Sequence, residues 1–85
     1  MEFTGKVEQV LQMESGEGKK GTWKKQGVIF LHGTDKYPKK TRVDFSGDLA
    51  DTVFKVGDDM KLEVDTESRE YNGKWYTDVK AWKIK

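Results

Sequence analysis

The feature that most constrains this chain is the dipeptide Asn72-Gly73, which lies between two β-favouring runs. Asparagine and glycine tolerate the positive φ values that both central residues of a two-residue type I′ turn require, so the pair predicts a β-hairpin. A two-residue turn also determines which residues of the two strands lie opposite each other. The predicted opposite pairs are Tyr71 with Lys74, Glu70 with Trp75, Arg69 with Tyr76, and Asp65 with Lys80.

The two faces of this predicted hairpin differ in chemistry. Because side chains alternate between the faces of a strand, one face mixes tyrosines with cations, and its members are Arg69, Tyr71, Lys74, Tyr76 and Lys80. The opposite face is apolar and consists of Met60, Leu62, Val64, Trp75, Val79 and Ala81. We expect the first face to be exposed and the second to join the core, with Trp75 buried. Strict alternation puts Trp82 and Ile84 on the outer face, and a bulge near Ala81 would turn both inward.

Length and composition limit the architecture to one small domain, residues 1–85. The core of such a domain is small, and the absence of cysteine excludes disulfides, thiolate metal sites and cysteine nucleophiles. Three tryptophans, three tyrosines and four phenylalanines argue against disorder. The sequence shows no charged leader before an apolar run and no apolar stretch of membrane-spanning length. We therefore expect a soluble cytoplasmic protein with no membrane partner.

Five predicted strands and one short helix follow one another along the chain. The strands are expected at about 2–13, 22–32 and 38–46, then from Met60, and finally after the Asn72-Gly73 turn. A helix of about two turns is expected within 46–54, where Leu49 and Val53 have helical spacing. The glycine-rich segment 14–21 is expected to be a mobile loop. This order, with the helix between strands three and four, is typical of the OB-fold, an all-β, five-stranded, partly open barrel.

Two rival folds fit this order less well. A ubiquitin-like fold needs a longer early helix, and an SH3-like barrel usually lacks the mid-chain helix.

Two details of the strands can also be predicted. Gly5 lies inside the first strand, where a glycine commonly marks a bulge. The third strand alternates strictly: Thr41, Val43 and Phe45 are expected to face inward, and Lys40, Arg42 and Asp44 outward.

Charge is unevenly distributed along the chain, although the formal net charge is only +1. Residues 19–42 contain eight lysines and arginines against one acidic residue, whereas residues 44–70 contain three against nine. A basic side of this kind can bind a phosphate backbone while the whole protein stays near neutral. Solvated strand faces would produce the same runs.

Aromatic residues lie among these cations at Trp23, at Tyr37 and in the hairpin. Rings that stack on bases beside cations that meet phosphates are what binding of single-stranded nucleic acid without sequence preference requires. Trp23 could equally plug the core, since tryptophans are highly buried on average. The candidate nucleic-acid-binding residues are Lys20, Trp23, Lys24, Lys25, Tyr37, Lys39, Lys40, Arg42, Arg69, Tyr71, Lys74 and Tyr76.

No catalytic constellation is visible in the sequence. Residues 16–21 match G-x-G-x-x-G, but the dinucleotide fingerprint requires a following helix, and the residues after Gly21 are strand-like. His32 is the single histidine and has no obvious partner for acid–base or metal chemistry. The acidic residues lack the spacing of a calcium loop. We expect no enzymatic activity, no cofactor and no metal.

Four segments carry a resemblance to a known family: Trp23–Gln26, Tyr37–Lys40, Phe54–Asp58 and Glu67–Lys83. They resemble a family of short bacterial and phage proteins of uncharacterised function, which is itself similar to single-stranded DNA-binding proteins of the OB type. The resemblance covers nearly the whole chain and is most specific in the C-terminal segment. It implies an OB-fold and suggests single-stranded DNA binding. Bacterial proteins of that type recruit partners through an acidic C-terminal tail, and this sequence ends at Lys85 without one.

These features together predict binding of single-stranded DNA with little sequence preference. The rings would stack on bases, and the lysines and arginines would contact phosphates. Single-stranded RNA demands similar stacking, and the sequence does not distinguish the two. A protein-interaction or oligomerisation module of the OB type is the alternative from another class, and a homo-oligomer is compatible with either.

Overall fold

The structure is a computed structural model that describes residues 1–19 and 21–85. This part of the chain is all-β, because its β-branched and aromatic residues fall into long runs that suit a pleated sheet. The strands are β1 Glu2–Val10, β2 Glu14–Gly18, β3 Gly21–Gly33, β4 Pro38–Ser46, β5 Asp59–Tyr71 and β6 Lys74–Ile84. A 3₁₀ helix, Gly47–Asp51, lies between β4 and β5. That segment is five residues long, and no helix in the described part of the chain could cross a membrane.

The six strands form one sheet in the order β1-β5-β6-β4-β3-β2. Strand β1 also pairs with β3, so the pairings run in a ring through β1, β5, β6, β4 and β3, and β2 is attached to β3 outside that ring. All neighbouring pairs are antiparallel except β4–β6. This parallel joint contains only the pairs Asp44–Lys80 and Phe45–Ala81, so β4 and β6 diverge on either side of it.

The core lies inside the ring and draws residues from all five of its strands. Its buried members are Val7, Val28, Phe30, Val43, Phe45, Leu62, Val64 and Ala81. Burial of each large apolar side chain contributes about 1.5–3 kcal/mol relative to exposure. The predicted inward positions Val43 and Phe45 are confirmed. Gly5 is buried against Phe3 and Phe30, and a Cβ there would lie 3.1 Å from both the Phe3 ring and the Phe30 Cβ. Gly5 nevertheless stays in regular register with Met60 of β5. The bulge predicted at Gly5 lies instead between Val7 and Gln9.

Two predicted local structures differ from the observed ones. Segment 14–21 is not a mobile loop over its described residues, because β2 pairs with the start of β3 from Glu14–Lys25 to Gly18–Gly21. The predicted two-turn helix is a single 3₁₀ segment: Ser46 makes no capping hydrogen bond, and Val53 is exposed beyond the end of the segment. The helical spacing of Leu49 and Val53 did not predict the helix length correctly, because Val53 is exposed and a second turn would gain no apolar burial from it.

The Asn72-Gly73 hairpin forms in the predicted register, with φ of 52° at Asn72 and 78° at Gly73. The prediction that Trp75 is buried is wrong, since 69% of the residue is exposed. Beyond the β4–β6 joint, β5 and β6 continue as a two-stranded ribbon, and every residue from 65 to 77 is exposed. In the described structure no other element packs on either face of the ribbon. Trp75 is therefore exposed, although it lies on the apolar face of its strand.

A bulge near Ala81 is confirmed. Val64 pairs with Ala81 and Glu63 with Lys83, which leaves Trp82 as the extra residue. Ile84 turns toward the core as predicted, but Trp82 does not and is 57% exposed.

Candidate nucleic-acid interface

An open groove of about 760 Å³ lies on the outer face of the sheet, where β2, β3 and β4 meet the segment between β1 and β2. We call this depression the groove; its lining residues are Leu11, Gln12, Met13, Glu14, Ser15, Trp23, Lys25 and Arg42. Two smaller depressions share residues with it. One continues to Thr77, Asp78 and Val79 on β6, and the other to Lys24, Ser46 and Lys80. A continuous concave surface therefore crosses the sheet from β2 to β6.

Trp23 forms one wall of the groove and rests on Gly16. The two residues are opposite each other in the β2–β3 pairing, and a Cβ at Gly16 would lie 2.8 Å from the indole Cζ2 and 2.9 Å from Cε2. Only a glycine at position 16 lets the indole lie this close to the backbone of β2. Trp23 is 49% exposed, so the predicted alternative of a core plug does not apply. An aromatic ring seated on a glycine of an edge strand is held in place while part of its surface remains accessible.

The floor of the groove is an ion-pair network around Asp44. Predicted to face outward, Asp44 does so but is only 7% exposed, because Arg42 and Lys25 cover it. The Arg42 Nε donates to Asp44 Oδ1 at 3.0 Å, and the Lys25 Nζ lies 3.5 Å from Oδ2. Gly27 is opposite Asp44, and a Cβ there would lie 3.0 Å from the Arg42 guanidinium, so the glycine lets Arg42 lie across β3. The buried carboxylate thus orients both cations.

The rim of the groove is held by Gln26, a residue that the sequence reasoning did not single out. Gln26 is buried on β3, and its Nε2 donates to the backbone oxygens of Leu11 and, at 2.9 Å, Gly27. The Leu11 backbone N–H also donates to the Gly27 oxygen at 3.0 Å. These bonds attach the segment between β1 and β2 to the sheet. The signal in the sequence was a polar residue at the start of an apolar run, and it suggests a buried hydrogen bond rather than a solvated face.

The ribbon contributes a second concave surface of about 410 Å³, lined by Arg69, Glu70, Tyr71, Tyr76 and Asp78. Asp78 belongs both to this surface and to the extension of the groove, so the two adjoin. Both tyrosines are exposed, as predicted. The Arg69 Nη2 lies 3.2 Å from Asp78 Oδ2, so this cation points back toward the groove.

Charge segregation along the sequence is not retained in space. Within the basic run 19–42, the strand pairings bring carboxylates next to four of the candidate cations: Lys24 donates to Asp51 at 2.7 Å, Lys25 pairs with Asp44, Lys40 lies 3.5 Å from Glu8, and Arg42 pairs with Asp44 and Glu14. The groove floor therefore carries cations and carboxylates together. Exposed pairs such as Lys24–Asp51 are worth about 0–1 kcal/mol each, so a phosphate can replace the carboxylate there at little cost. Asp44 is buried, so Lys25 and Arg42 must remain beside it to compensate its charge.

The candidate residues divide into three groups by position. Trp23, Lys24, Lys25 and Arg42 line the groove or its extensions, and Arg69, Tyr71 and Tyr76 line the adjoining ribbon surface. Tyr37 and Lys39 lie at the far end of β4 from Ser46, in and after the β3–β4 turn, and Lys40 and Lys74 line none of these depressions. Lys20 lies outside the described residues.

Sequence comparison adds one match. No curated protein matches the chain. The family model described as a domain of unknown function, DUF3127, matches residues 2–85 and so includes both the groove and the ribbon. The chain therefore belongs to the DUF3127 family, which confirms the predicted membership of an uncharacterised family.

Proposed function

We propose that this protein is a non-catalytic OB-fold module that binds single-stranded nucleic acid, principally DNA, with little sequence preference. The observation that carries the proposal is the half-exposed Trp23 ring, seated on Gly16 beside Lys25 and Arg42. The groove that it walls leads to the two exposed tyrosines of the ribbon. Aromatic platforms in series beside cations are the arrangement that sequence-tolerant binding of single strands uses.

The strand pairings support the OB assignment. In chain order the ring strands are β1, β3, β4, β5 and β6, with the helical segment between the third and the fourth. The ring closes through antiparallel pairs and one short parallel joint between its third and fifth strands. OB-folds bind oligonucleotides on the face of strands two and three, between the loop that joins strands one and two and the loop that joins strands four and five. The groove lies on the corresponding face, and β2 and the ribbon occupy those two connections.

Binding on this surface would combine stacking with phosphate contacts. A base would stack on the open face of Trp23, while Lys25 and Arg42 would stay beside Asp44 and contact phosphates through the N–H groups that Asp44 does not occupy. The strand would continue over β6 to Tyr76 and Tyr71. Each stacked base would contribute about 1–3 kcal/mol by alanine substitution. The phosphate contacts would make the affinity fall as salt rises.

Tryptophan fluorescence tests the proposal, because the three tryptophans occupy different surfaces. The Trp75→Phe/Trp82→Phe variant retains only Trp23, and the Trp23→Phe/Trp75→Phe variant retains only Trp82. Titration with oligo-dT at low salt should quench the first variant strongly and the second weakly. Trp23→Ala should lower the affinity for labelled oligo-dT by about ten- to a hundredfold, from the stacking free energy of one base.

Two outcomes would contradict the proposal. No response to oligo-dT, oligo-U or duplex DNA at low salt would reject nucleic-acid binding. Tighter binding to duplex than to oligo-dT would reject the stacking mechanism. Comparison of oligo-dT with oligo-U decides between DNA and RNA.

Exposure of Trp75 and Trp82 favours a second candidate, a protein-interaction module. Tryptophan is enriched among the residues that dominate the energy of protein interfaces. Trp75 lies on the ribbon face opposite to Tyr71 and Tyr76, so it is separate from the nucleic-acid surface. On this reading the Trp75→Ala and Trp82→Ala variants lose a protein partner and retain binding of oligo-dT, whereas Trp23→Ala does the reverse.

A further inference from the structure

The ribbon has a strand edge that nothing in the described structure covers. Strand β5 pairs with β1 only as far as Glu63, where the backbone of Met1 adds bonds to Val64. From Asp65 to Tyr71 the pairings place β6 on one side of β5 and no strand on the other. An isolated two-stranded ribbon is marginally stable in water, and unpaired strand edges readily accept another strand.

This edge also lacks several of the features that usually prevent pairing, although four of its seven residues are charged. Residues 65–71 read Asp-Thr-Glu-Ser-Arg-Glu-Tyr, with no proline, no lysine and no bulge. Threonine and tyrosine favour extended backbone. The edge is therefore available to a partner strand.

We propose that the β5 edge from Asp65 to Tyr71 pairs antiparallel with the same edge of a second copy of this chain, about a twofold axis at Ser68. In this register Glu67 lies opposite Arg69 of the second copy, and Arg69 lies opposite Glu67 of the second copy. Asp65 and Tyr71 form the outer pairs in the same way. Opposite charges at directly opposed positions stabilise an antiparallel pair, and like charges destabilise it.

The charge pattern selects this register over its neighbours. A shift by two residues in one direction places Glu67 opposite Glu67 of the second copy, although it also opposes Asp65 to Arg69, and a shift in the other direction places Arg69 opposite Arg69. Of these three registers, the one about Ser68 is free of like-charge pairs. A shift by one residue would exchange the two faces of the strand. A second copy, rather than an unrelated strand, is the occupant because Glu67 and Arg69 lie at symmetric positions about Ser68 and carry opposite charges.

Side-chain contacts within the ribbon extend the match. Ser68 and Thr77 are opposite each other with their hydroxyl oxygens 3.0 Å apart. Pairing at Ser68 would thus create a row of four hydroxyls across four strands, an arrangement that stabilises sheets. Lys80 lies 3.8 Å from Glu67, and Arg69 lies 3.2 Å from Asp78, so the charges alternate in sign on that face.

The proposed interface leaves the groove open. The opposite edge of the ribbon, Thr77–Val79 of β6, lines a depression together with Arg42 and Asp44 of β4. A second copy on β5 lies on the far side of the ribbon from that depression. Dimerisation therefore leaves the groove accessible, although Arg69 and Tyr71 belong both to the β5 edge and to the ribbon surface, and its test uses protein alone.

Charge reversal with mixing tests the register. Arg69→Glu opposes glutamates in both charged pairs, and Glu67→Arg opposes arginines in both, so each variant alone should sediment as a monomer. An equimolar mixture opposes glutamate to arginine in both pairs and should sediment at the mass of a dimer, as the wild type does. Lys74→Glu is the matched control, since it reverses a ribbon charge away from the β5 edge and should stay dimeric. A monomeric wild type, or a mixture that stays monomeric, would overturn the proposal.

Cysteine crosslinking tests the axis, because the chain has no cysteine of its own. Ser68→Cys should form an intermolecular disulfide under mild oxidation, because the two sulfurs face each other across the axis. Thr77→Cys should not, since three strand spacings of about 4.8 Å separate its two copies, far beyond the Cα separation of a disulfide. Efficient crosslinking at Thr77 with none at Ser68 would place the second copy on the β6 edge and reject the β5 pairing.

Discussion

The three tryptophans differ in what lies opposite them on the neighbouring strand. Trp23 is opposite Gly16, so its indole lies on the backbone of β2. Trp75 is opposite Glu70 on the exposed ribbon, and Trp82 occupies a bulge. The same residue type is therefore a supported platform in one place and an unsupported exposed ring in the other two.

Gly16→Ala is expected to weaken oligonucleotide binding without removing any stacking group. The new Cβ would occupy space within 3 Å of the indole, so the Trp23 ring would have to tilt away from β2. The affinity for oligo-dT and the Trp23 emission wavelength, followed in the Trp75→Phe/Trp82→Phe background, report the change. Gly18→Ala is the control, because its Cβ would meet ordinary contacts at 3.7 Å. Equal effects of the two substitutions would contradict the supporting role of Gly16.

At the scale of elements, the groove is lined by segments that are attached to the sheet and lie outside the core. Strand β2 is attached to the sheet through β3, and the segment between β1 and β2 is attached through Gln26. The ribbon continues β5 and β6 past the last residues that β4 pairs with. The core supplies the stability, while these three attachments supply the concave surface.

Gln26→Leu is expected to lower the free energy of unfolding by about 1–3 kcal/mol, because it leaves the Leu11 carbonyl without its side-chain donor. Urea denaturation measures the change, and hydrogen exchange of residues 11–13 should accelerate more than that of the core strands. Gln12→Leu serves as the control, since Gln12 is exposed on the rim. A Gln26→Leu protein as stable as the wild type would show that the rim is held by other contacts.

At the scale of the whole molecule, the strand pairings bring opposite charges together that the sequence keeps apart. The lysines and arginines of β3 and β4 meet carboxylates from β1, β2, β4 and the 3₁₀ helix. The Lys85 side-chain amino group lies 3.0 Å from Glu2 and 2.6 Å from Glu63. These two ion pairs join β1, β5 and the residue after β6. Electrostatics therefore acts on this protein through local pairs rather than through one basic side.

Lys25→Gln should reduce the slope of log affinity against log salt concentration for oligo-dT by about 0.7, the value for one phosphate contact on a single strand. Lys39→Gln should leave the slope unchanged, because Lys39 lies at the end of β4 away from the groove. Fluorescence anisotropy with a labelled oligonucleotide at several salt concentrations measures both. A reduced slope for Lys39→Gln and none for Lys25→Gln would move the phosphate path to the β3–β4 turn.

Lys85→Gln is expected to lower stability at neutral pH and to have little effect in acid. Hydrogen bonds from Lys85 lower the pKa of Glu2 and Glu63 from 4.5 and raise the pKa of Lys85 from 10.5. A carboxylate with a lowered folded pKa contributes stability above its unfolded pKa and loses it as the pH falls through the folded value. On the alkaline side, the Lys85 contribution is complete below 10.5 and is lost as the pH rises through its folded pKa, so the interaction stabilises the fold between these acid and alkaline limits.

The measurement is the urea midpoint of wild type and Lys85→Gln at pH 7 and again in acid well below 4.5. The difference should be present at pH 7 and close to zero in acid. Lys83→Gln removes the same charge two residues earlier and should behave like the wild type at both values, because Lys85 rather than Lys83 makes the ion pairs to Glu2 and Glu63. A difference for Lys85→Gln that persists in acid would assign its role to packing.

Much of the fold follows from short-range patterns in the sequence. Alternation predicted β4 to the residue, and Asn72-Gly73 predicted the hairpin register, because turn geometry and side-chain period act over neighbouring residues. The tyrosines of the ribbon could be assigned to an exposed face for the same reason. The groove could not be predicted, because it depends on β2 as a strand, on the Gln26 attachment and on the divergence of β4 from β6.

What the sequence by itself determined is therefore the all-β class, the hairpin and the alternation of its strands, since these depend on residues close together along the chain. Only the tertiary structure decided which faces are covered and which charges meet. Trp75 lies on the apolar face of its strand but is exposed because no layer lies over the ribbon among residues 1–19 and 21–85, and Asp44 lies on a polar face but is buried because Arg42 and Lys25 cover it. Burial depends on the neighbours that distant segments provide, and local pattern carries no information on where those segments end.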